Sequence, residues 1–299
     1  MQQVQCPTTY GSYWSLNTDT FNKKIVVNHG FVSVFQWNFL ILKINYTLFS
    51  RYMNIILLGY GKMGQIIERY ALKRGHQIFL IVDENNRPGL TVDDIKGADV
   101  AIDFSVPSAA LDNMNLCLEA GVPIVVGTTG WYDQLESVRE KCLDSDGTIL
   151  YGSNYSIGVN VFFHINRMLA AALQPYKQYD VQVEEIHHIH KLDAPSGTAI
   201  TIAEGILDHS DVKTNWVNTV VGEQDEIIPK PQELLIESHR IEEVPGTHTV
   251  LYSSEVDQIE FKHTAHSRDG FALGAVVAAE WLNGKKGFYQ VTEIFDFNK

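Results

Sequence analysis

The run "NIILLGYGKMG", from Asn54 to Gly64, constrains the fold more than any other part of the chain. Its first five residues are almost wholly apolar and end at a glycine, the pattern of a short strand buried on both faces. G-x-G-x-x-G follows at once, at Gly59, Gly61 and Gly64. A helical pattern then carries Ile66, Ile67, Tyr70 and Ala71 towards Gly75, and a second strand, "QIFLIV", runs into Asp83. In such a unit the first glycine allows the tight turn, the second lets the backbone approach a pyrophosphate, and the third lets the helix pack on the strand. The helix N-terminus offers free N–H groups to phosphates, and the acid after the second strand is placed for ribose hydroxyls. Glycines kept for packing alone are the competing reading. It does not account for the acid.

The alternation continues. "ADVAIDF" (98–104), "PIVVGTTG" (123–130) and "TILYGSN" (148–154) read as strands, separated by helical patterns at 107–120 and 132–145. Strands alternating with helices imply a parallel, doubly wound sheet of the Rossmann type, with its ligand at the carboxyl ends of the strands. Ser105, Gly127, Thr128, Thr129, Ser153 and Asn154 fall on that side.

Beyond Asn154 the pattern changes. Residues 158–173 form a long helix, apolar on most faces and therefore expected to be buried. "YDVQVEEIHHIH", "NWVNTVV", "ELLIESHRI", "HTVLYSSEV" and "QIEFKHTA" read as strands, with the helix "GTAITIAEGILD" among them. This is an α+β arrangement with an open mixed sheet, one face of which often carries an oligomer interface. "GFALGAVVAAEWL" (270–282) is a helix expected to return to the first sheet. The expected division is residues 53–154 for dinucleotide binding, 155–267 for substrate binding and oligomerisation, and 268–299 for the returning segment.

The stretch "EIHHIHKLDAPSGTA" (185–199) gathers three histidines and a lysine within five positions of a chain whose net charge is −13. In a continuous strand, side chains alternate faces, so His187 and Lys191 meet one small ligand only if the chain turns between them. "DAPSG" supplies turn formers, and Ser196 suits a helix N-cap. A cationic cluster beside a helix N-terminus suits a carboxylate, and a histidine there suits a proton donor near neutral pH. Zinc on His188 and His190 with Asp193, His263 or His266 is a weaker reading, because no spacing singles out a third ligand. No metal is expected. A solvated strand end is the plain alternative; it accounts for one or two histidines more readily than for three and Lys191 within five positions.

At these residues the sequence resembles the dihydrodipicolinate reductase family. "GYGKMG", "VGTTGW" and above all "EIHHIHKLDAPSGTA" carry the likeness, supported by "GSNYSIGVN". It extends from Met53 to about Leu282. The resemblance implies hydride transfer from NADH or NADPH to a cyclic imine–alkene dicarboxylate, in a cytoplasmic homotetramer. By the same likeness His187 is the proton donor. Lys191 is a second donor and carboxylate partner, His188 contacts substrate, and Ser196, Gly197 and Thr198 hold a carboxylate. The cofactor residues implied are Gly59, Tyr60, Gly61, Lys62, Met63, Gly64, Asp83, Gly127, Thr128, Thr129, Gly152, Ser153, Asn154 and Tyr155. The sequence departs from the family pattern twice. Many members have an extra glycine in the first loop and an arginine at Lys62, and an arginine often stands at Ile189.

The acidic balance argues against nucleic-acid or anionic-membrane partners. Three dispersed cysteines, Cys6, Cys117 and Cys142, fit a reducing compartment rather than a disulfide framework. A semialdehyde dehydrogenase would need one of them reactive. A non-catalytic nucleotide sensor would leave the histidine cluster without a use. Residues 1–52 stand apart, with one acid, four bases and 11 of the 32 aromatics, and read as a leader ahead of a working start at Met53.

Overall fold

The computed structural model describes residues 52–222 and 227–295. The expected leader falls, except for Tyr52, outside the described residues.

The first half builds on β1 (Asn54–Leu58), β2 (Gln77–Val82), β3 (Val100–Asp103), β4 (Ile124–Val126) and β5 (Thr148–Tyr151). Helices α1 (Lys62–Lys73), α2 (Val92–Ile95), α3 (Pro107–Ala120) and α4 (Leu135–Asp144) connect them, and a 3-10 turn at Tyr132–Gln134 precedes α4. β1, β3, β4 and β5 are short and almost fully buried because both faces are covered, by separate apolar clusters, while β2, at the sheet edge, is only partly buried. Burying each Ile or Leu of these strands contributes roughly 1.5–3 kcal/mol.

The second half comprises α5 (Ile157–Leu173), β6 (Asp180–His187), α6 (Gly197–Leu207), β7 (Asn215–Val220), β8 (Glu233–Arg240), β9 (Gly246–Ser253) and β10 (Gln258–Ala265). Its sheet has the order β10-β9-β6-β8-β7. β6 and β7 run parallel to β8, while β9 is antiparallel to both β6 and β10. The sheet is therefore mixed, as expected. Along β6, Val181 and Val183 point to one face and pack with Phe162 and Ala170 of α5 and Ile202 and Ile206 of α6. Contrary to the expectation of burial on most faces, α5 hides Val159, Phe162 and Ala170 while Ile165 is 39% and Met168 58% exposed. One side of the helix meets the sheet, and the other points away from it.

The chain then returns. α7 (Asp269–Leu282) packs its small residues into the core of β1, β3 and α1, and β11 (Gly287–Gln290) adds to the edge of the first sheet. That sheet has the order β11-β5-β4-β3-β1-β2, all parallel, with the reversal of winding between β1 and β3. Arg74 reaches Glu280 through two hydrogen bonds of 2.7 Å, His76 lies 2.9 Å from the same carboxylate, and Arg69 pairs with Asp269. Gly274 sits so close to the Tyr155 carbonyl that a Cβ would fall 1.6 Å from its oxygen. Among the described residues no helix is long and apolar enough to cross a membrane.

Candidate active site

The glycine loop has the shape its sequence implies. Gly59 has φ +96°, and a Cβ there would lie 2.4 Å from the Phe104 carbonyl oxygen, so only glycine turns so tightly against β3. A Cβ on Gly64 would lie 2.3 Å from the Gly59 oxygen, which is the close helix–strand approach. A Cβ on Gly61 would meet nothing within 4 Å. The N-terminus of α1 follows, with no side chain capping it and no acid in its first turn. These features fit a dinucleotide pyrophosphate. Asp83 accepts from the backbone of Asn85 at 2.8 Å, and hydrogen bonds from Asn85 and Asn86 hold its carboxyl below the usual range despite partial desolvation.

The neighbouring strand ends are locked to one another. Asp103 is fully buried at the end of β3 and accepts from Ser105 Oγ and Asn113 Nδ2, both at 2.8 Å. Ser105 N donates to Thr128 Oγ1 at 2.8 Å, and Trp131 Nε1 donates to Thr128 O at 2.8 Å. Burial raises the Asp103 carboxyl above its ordinary value, against the pull of its donors.

Several expected cofactor residues serve this framework. Thr128 is buried in it. Tyr155 is 2% exposed, and its hydroxyl donates to Val126 O at 2.9 Å. A Cβ on Gly152 would strike Val291, and one on Gly127 the Phe104 ring. Met63 packs against the core, and the Tyr60 hydroxyl donates to Glu68. Lys62 opens α1. Thr129, Ser153 and Asn154 instead line an open cleft of about 550 Å³.

That cleft also receives the cationic stretch. β6 ends at His187, where a continued strand had been expected, and Lys191 N donates to His188 O at 3.1 Å, closing a turn. His187, His188 and Lys191 therefore all line the cleft, together with Ser196, Gly197, Thr198 and Arg268. His190 is the exception. Its side chain is 71% exposed, 3.5 Å from Glu243. Arg240 of β8 clamps the strap, donating to the Lys191 carbonyl at 3.3 Å and the Asp193 carbonyl at 2.7 Å. Lys191 Nζ donates to Asp193 Oδ1 at 2.6 Å. Ser196 caps α6, accepting from Ala199 N at 3.2 Å, and a Cβ on Gly197 would meet nothing within 4 Å. The helix N-terminus thus opens beside Lys191, an arrangement suited to a carboxylate.

Sequence reasoning missed the centre beneath His187. The register pairs Glu185 with His248 on one side and Ser238 on the other, and His248 in turn with His263. This polar row continues the helix-covered face of the sheet past Val181 and Val183. Glu185, 0% exposed, accepts from Ser196 N at 3.1 Å and Ser238 Oγ at 2.8 Å. Its Oε2 lies 3.5 Å from His187 Nε2 and 3.7 Å from His248 Nε2. Burial alone would raise the Glu185 carboxyl. Hydrogen bonds from the two histidines and two serines outweigh it and hold the group far below the usual carboxylate range. Burial lowers the pKa of His248. The donor atoms of Glu185, His187 and His248 lie within 4.8 Å of one another; of the residues weighed for zinc from the sequence, none belongs to that group.

A parallel sheet with this glycine loop, sharing a cleft with a histidine–lysine strap and an open helix N-terminus, defines a nicotinamide-dependent reductase. Comparison with known proteins specifies it further. Residues 53–155 match "Dihydrodipicolinate reductase, N-terminus" and residues 158–295 match "Dihydrodipicolinate reductase, C-terminus". The 4-hydroxy-tetrahydrodipicolinate reductase of Christiangramia forsetii is 49% identical over 243 residues, 81% of this chain and 97% of the relative. That of Neisseria meningitidis serogroup A is 36% identical over 204 residues, 67% of this chain and 74% of the relative. The dipicolinate-bound dihydrodipicolinate reductase of Paenisporosarcina sp. TG-14 has the same fold, with a TM-score of 0.66 at 22% identity over 82% of this chain and 100% of the other. The chain belongs to the dihydrodipicolinate reductase family. It is an oxidoreductase of diaminopimelate and lysine biosynthesis that reduces dihydrodipicolinate and uses a nicotinamide cofactor. The sensor and semialdehyde dehydrogenase readings fall. Cys117 and Cys142 are both buried and their thiols pushed up by desolvation, the reverse of a reactive thiolate.

Proposed function

We propose that His187 is the proton donor of this reaction, with Lys191 and the Ser196–Thr198 turn holding a substrate carboxylate and His188 contacting the ring. One observation carries the reading: Thr129, Ser153 and Asn154, at the cofactor-side strand ends, line the same cleft as His187, Lys191 and Thr198. Gly59–Gly64 and Asp83 hold the dinucleotide. When bound, the reduced nicotinamide supplies the hydride. The chain positions the ring, excludes water and delivers the proton. In the free protein Lys191 is neutralised by Asp193, and a substrate carboxylate takes its place. A small dicarboxylate is the chemistry this pocket suits, and dipicolinate, which the Paenisporosarcina protein holds, is the natural binding probe.

Residues 53–154 then act as the dinucleotide part, 155–267 as the substrate part and 268–299 as the returning segment. The apolar Ile165 and Met168 on the outer side of α5, and the second face of the mixed sheet, support assembly as a homotetramer. A cytoplasmic enzyme with no nucleic-acid or membrane partner suits the acidic composition and dispersed cysteines.

The test is oxidation of the reduced nicotinamide with dihydrodipicolinate made in place by the preceding synthase. Turnover that depends on the synthase supports the reading; tight cofactor binding without turnover overturns it. NADH is expected to serve at least as well as NADPH. Asp83 is held ionised where a 2′-phosphate would lie, Glu84 follows it, and Arg87 donates Nε to Asn113 Oδ1 at 2.7 Å. A kcat/KM ratio strongly favouring NADPH would contradict this.

A further inference from the structure

We infer that Glu185 is the positioning residue of the proton-transfer step. It fixes which nitrogen of His187 faces the cleft, stabilises the imidazolium, and ties the donor to the helix that takes the substrate carboxylate. The inference rests on His187 being the proton donor.

Hydrogen bonding determines where the protons sit. Ser196 Oγ accepts from Ala199 N at 3.2 Å and lies 3.2 Å from His248 Nε2. Burial lowers the proton affinity of His248, against the pull of Glu185. His187 Nε2 lies 3.4 Å from His248 Nε2 and 3.5 Å from Glu185 Oε2. An ionised carboxylate can only accept, so Glu185 favours the form of His187 that carries a hydrogen on Nε2. These contacts are long, as donor–acceptor pairs often are before substrate binds. The other nitrogen, Nδ1, lies on the ring edge that passes Gly246, where a Cβ would come within 3.3 Å of it and 2.9 Å of Cε1. Gly246 lines the cleft, so its lack of a side chain keeps that edge open.

A buried carboxylate on the far nitrogen of a catalytic histidine fixes the tautomer and stabilises the cation. Glu185 does this with its Oε2. Its two oxygens also accept from Ser196 N, at the cap of α6. Donor and carboxylate site therefore hang on a single anion. In the step itself, the ring carbon adjacent to the one that received hydride takes the proton from His187 Nδ1. The N–H bond breaks, its electron pair stays on Nδ1, and a C–H bond forms. His187 is left neutral with hydrogen on Nε2, still facing Glu185, and recovers its Nδ1 proton from solvent through the cleft.

Other charged groups lie around His187. Glu185 is on its own strand, Arg240 on β8 is 3.6 Å from Glu185 Oε1, His248 is on β9 and His263 on β10. Lys191, Asp193 and His188 stand in the strap, and Arg268 at the start of α7. Of the anions, Asp193 is paired with Lys191, which leaves Glu185 as the carboxylate against the ring.

The experiment compares wild type with Glu185→Gln, which keeps the shape but removes the charge. The expected result is a fall in kcat of about 10²-fold or more, larger than the accompanying rise in KM or loss of dipicolinate affinity. ¹⁵N spectra of histidine-labelled wild-type protein should show neutral His187 as the Nε2–H tautomer, and Glu185→Gln should mix the tautomers. A loss confined to KM, an unchanged tautomer in Glu185→Gln, or a wild-type Nδ1–H tautomer overturns the inference, and the last applies even if the variant fails to fold. Activity lost to a chelator and restored by zinc would also overturn it, because the three donors would then be metal ligands. Full activity in His187→Gln would instead sink the proton-donor reading on which this one stands.

Discussion

His187→Gln is expected to lose about 10²–10⁴-fold in kcat, the range that general acid catalysis supplies, while NADH still binds and the protein remains folded. Glutamine reproduces the volume and a hydrogen-bonding capacity of imidazole but cannot give up a proton at neutral pH. The position tolerates the change structurally, since His187 stands at the end of β6 where the chain already leaves the sheet. Its neighbours Val183 and Ile186 keep their pairing with β8 and β9. Lys191→Met should behave differently. Lys191 touches Asp193 in the free protein and trades that anion for a substrate carboxylate. Its loss should therefore raise KM as well as lower kcat, and should weaken dipicolinate binding. Steady-state kinetics with calorimetric NADH binding separates the two. Equal effects of both substitutions on KM alone would mean that neither residue delivers a proton.

The second large effect is on stability. Gly274→Ala puts a methyl group 1.6 Å from the Tyr155 carbonyl oxygen and 2.7 Å from its carbon. Backbone lies on both sides of that contact, so no side chain can swing away, and α7 must shift as a body. Overpacking of a dense core costs typically about 1–3 kcal/mol, and this site should fall at the upper end. Gly270→Ala, one turn earlier, is the control: its Cβ would meet only Ser156 Oγ at 3.5 Å, an ordinary contact, and alanine is the better helix former by up to about 1 kcal/mol. Urea denaturation should show a clear drop in midpoint for Gly274→Ala and none for Gly270→Ala. Equal midpoints would mean that α7 is not held where it is described. Because Tyr155 adjoins Ser153 and Asn154 in the cleft, Gly274→Ala should also reduce activity.

Much of this site was legible before any coordinates. The glycine loop, its strand and Asp83 follow from local pattern, since Gly59 and Gly64 answer contacts within a few residues or with the adjacent strand. The break between His187 and Lys191 was not: "DAPSG" lies beyond Lys191, and the turn is closed by Lys191 N on the His188 carbonyl. What was not legible depends on register. Glu185 and His248 are 63 positions apart in the chain and meet only because β6 and β9 pair antiparallel with those two residues opposite. Nothing local in either strand specifies that alignment, and Glu185 taken alone reads as one acid among 36. Tyr155 and Gly152 sit in a loop on the ligand side, yet their side-chain positions answer to the β4 carbonyl beneath and to Val291 from the far end of the chain. β11 is four residues of ordinary composition, and its strand state comes from the exposed edge of β5.

The return of α7 and β11 carries a consequence for biosynthesis. The nucleotide half is the first of the two to leave the ribosome, yet its sheet lacks an edge strand and its apolar core lacks Ala272, Ala275, Val276, Ala279 and Leu282 until the substrate half has been made. Contacts so distant in sequence slow folding and prolong the exposure of unpaired strand edges. The two ends of the described chain must therefore meet late, after the substrate half that separates them has been synthesised. The nascent nucleotide half waits, incomplete, for a segment made only after the whole substrate half.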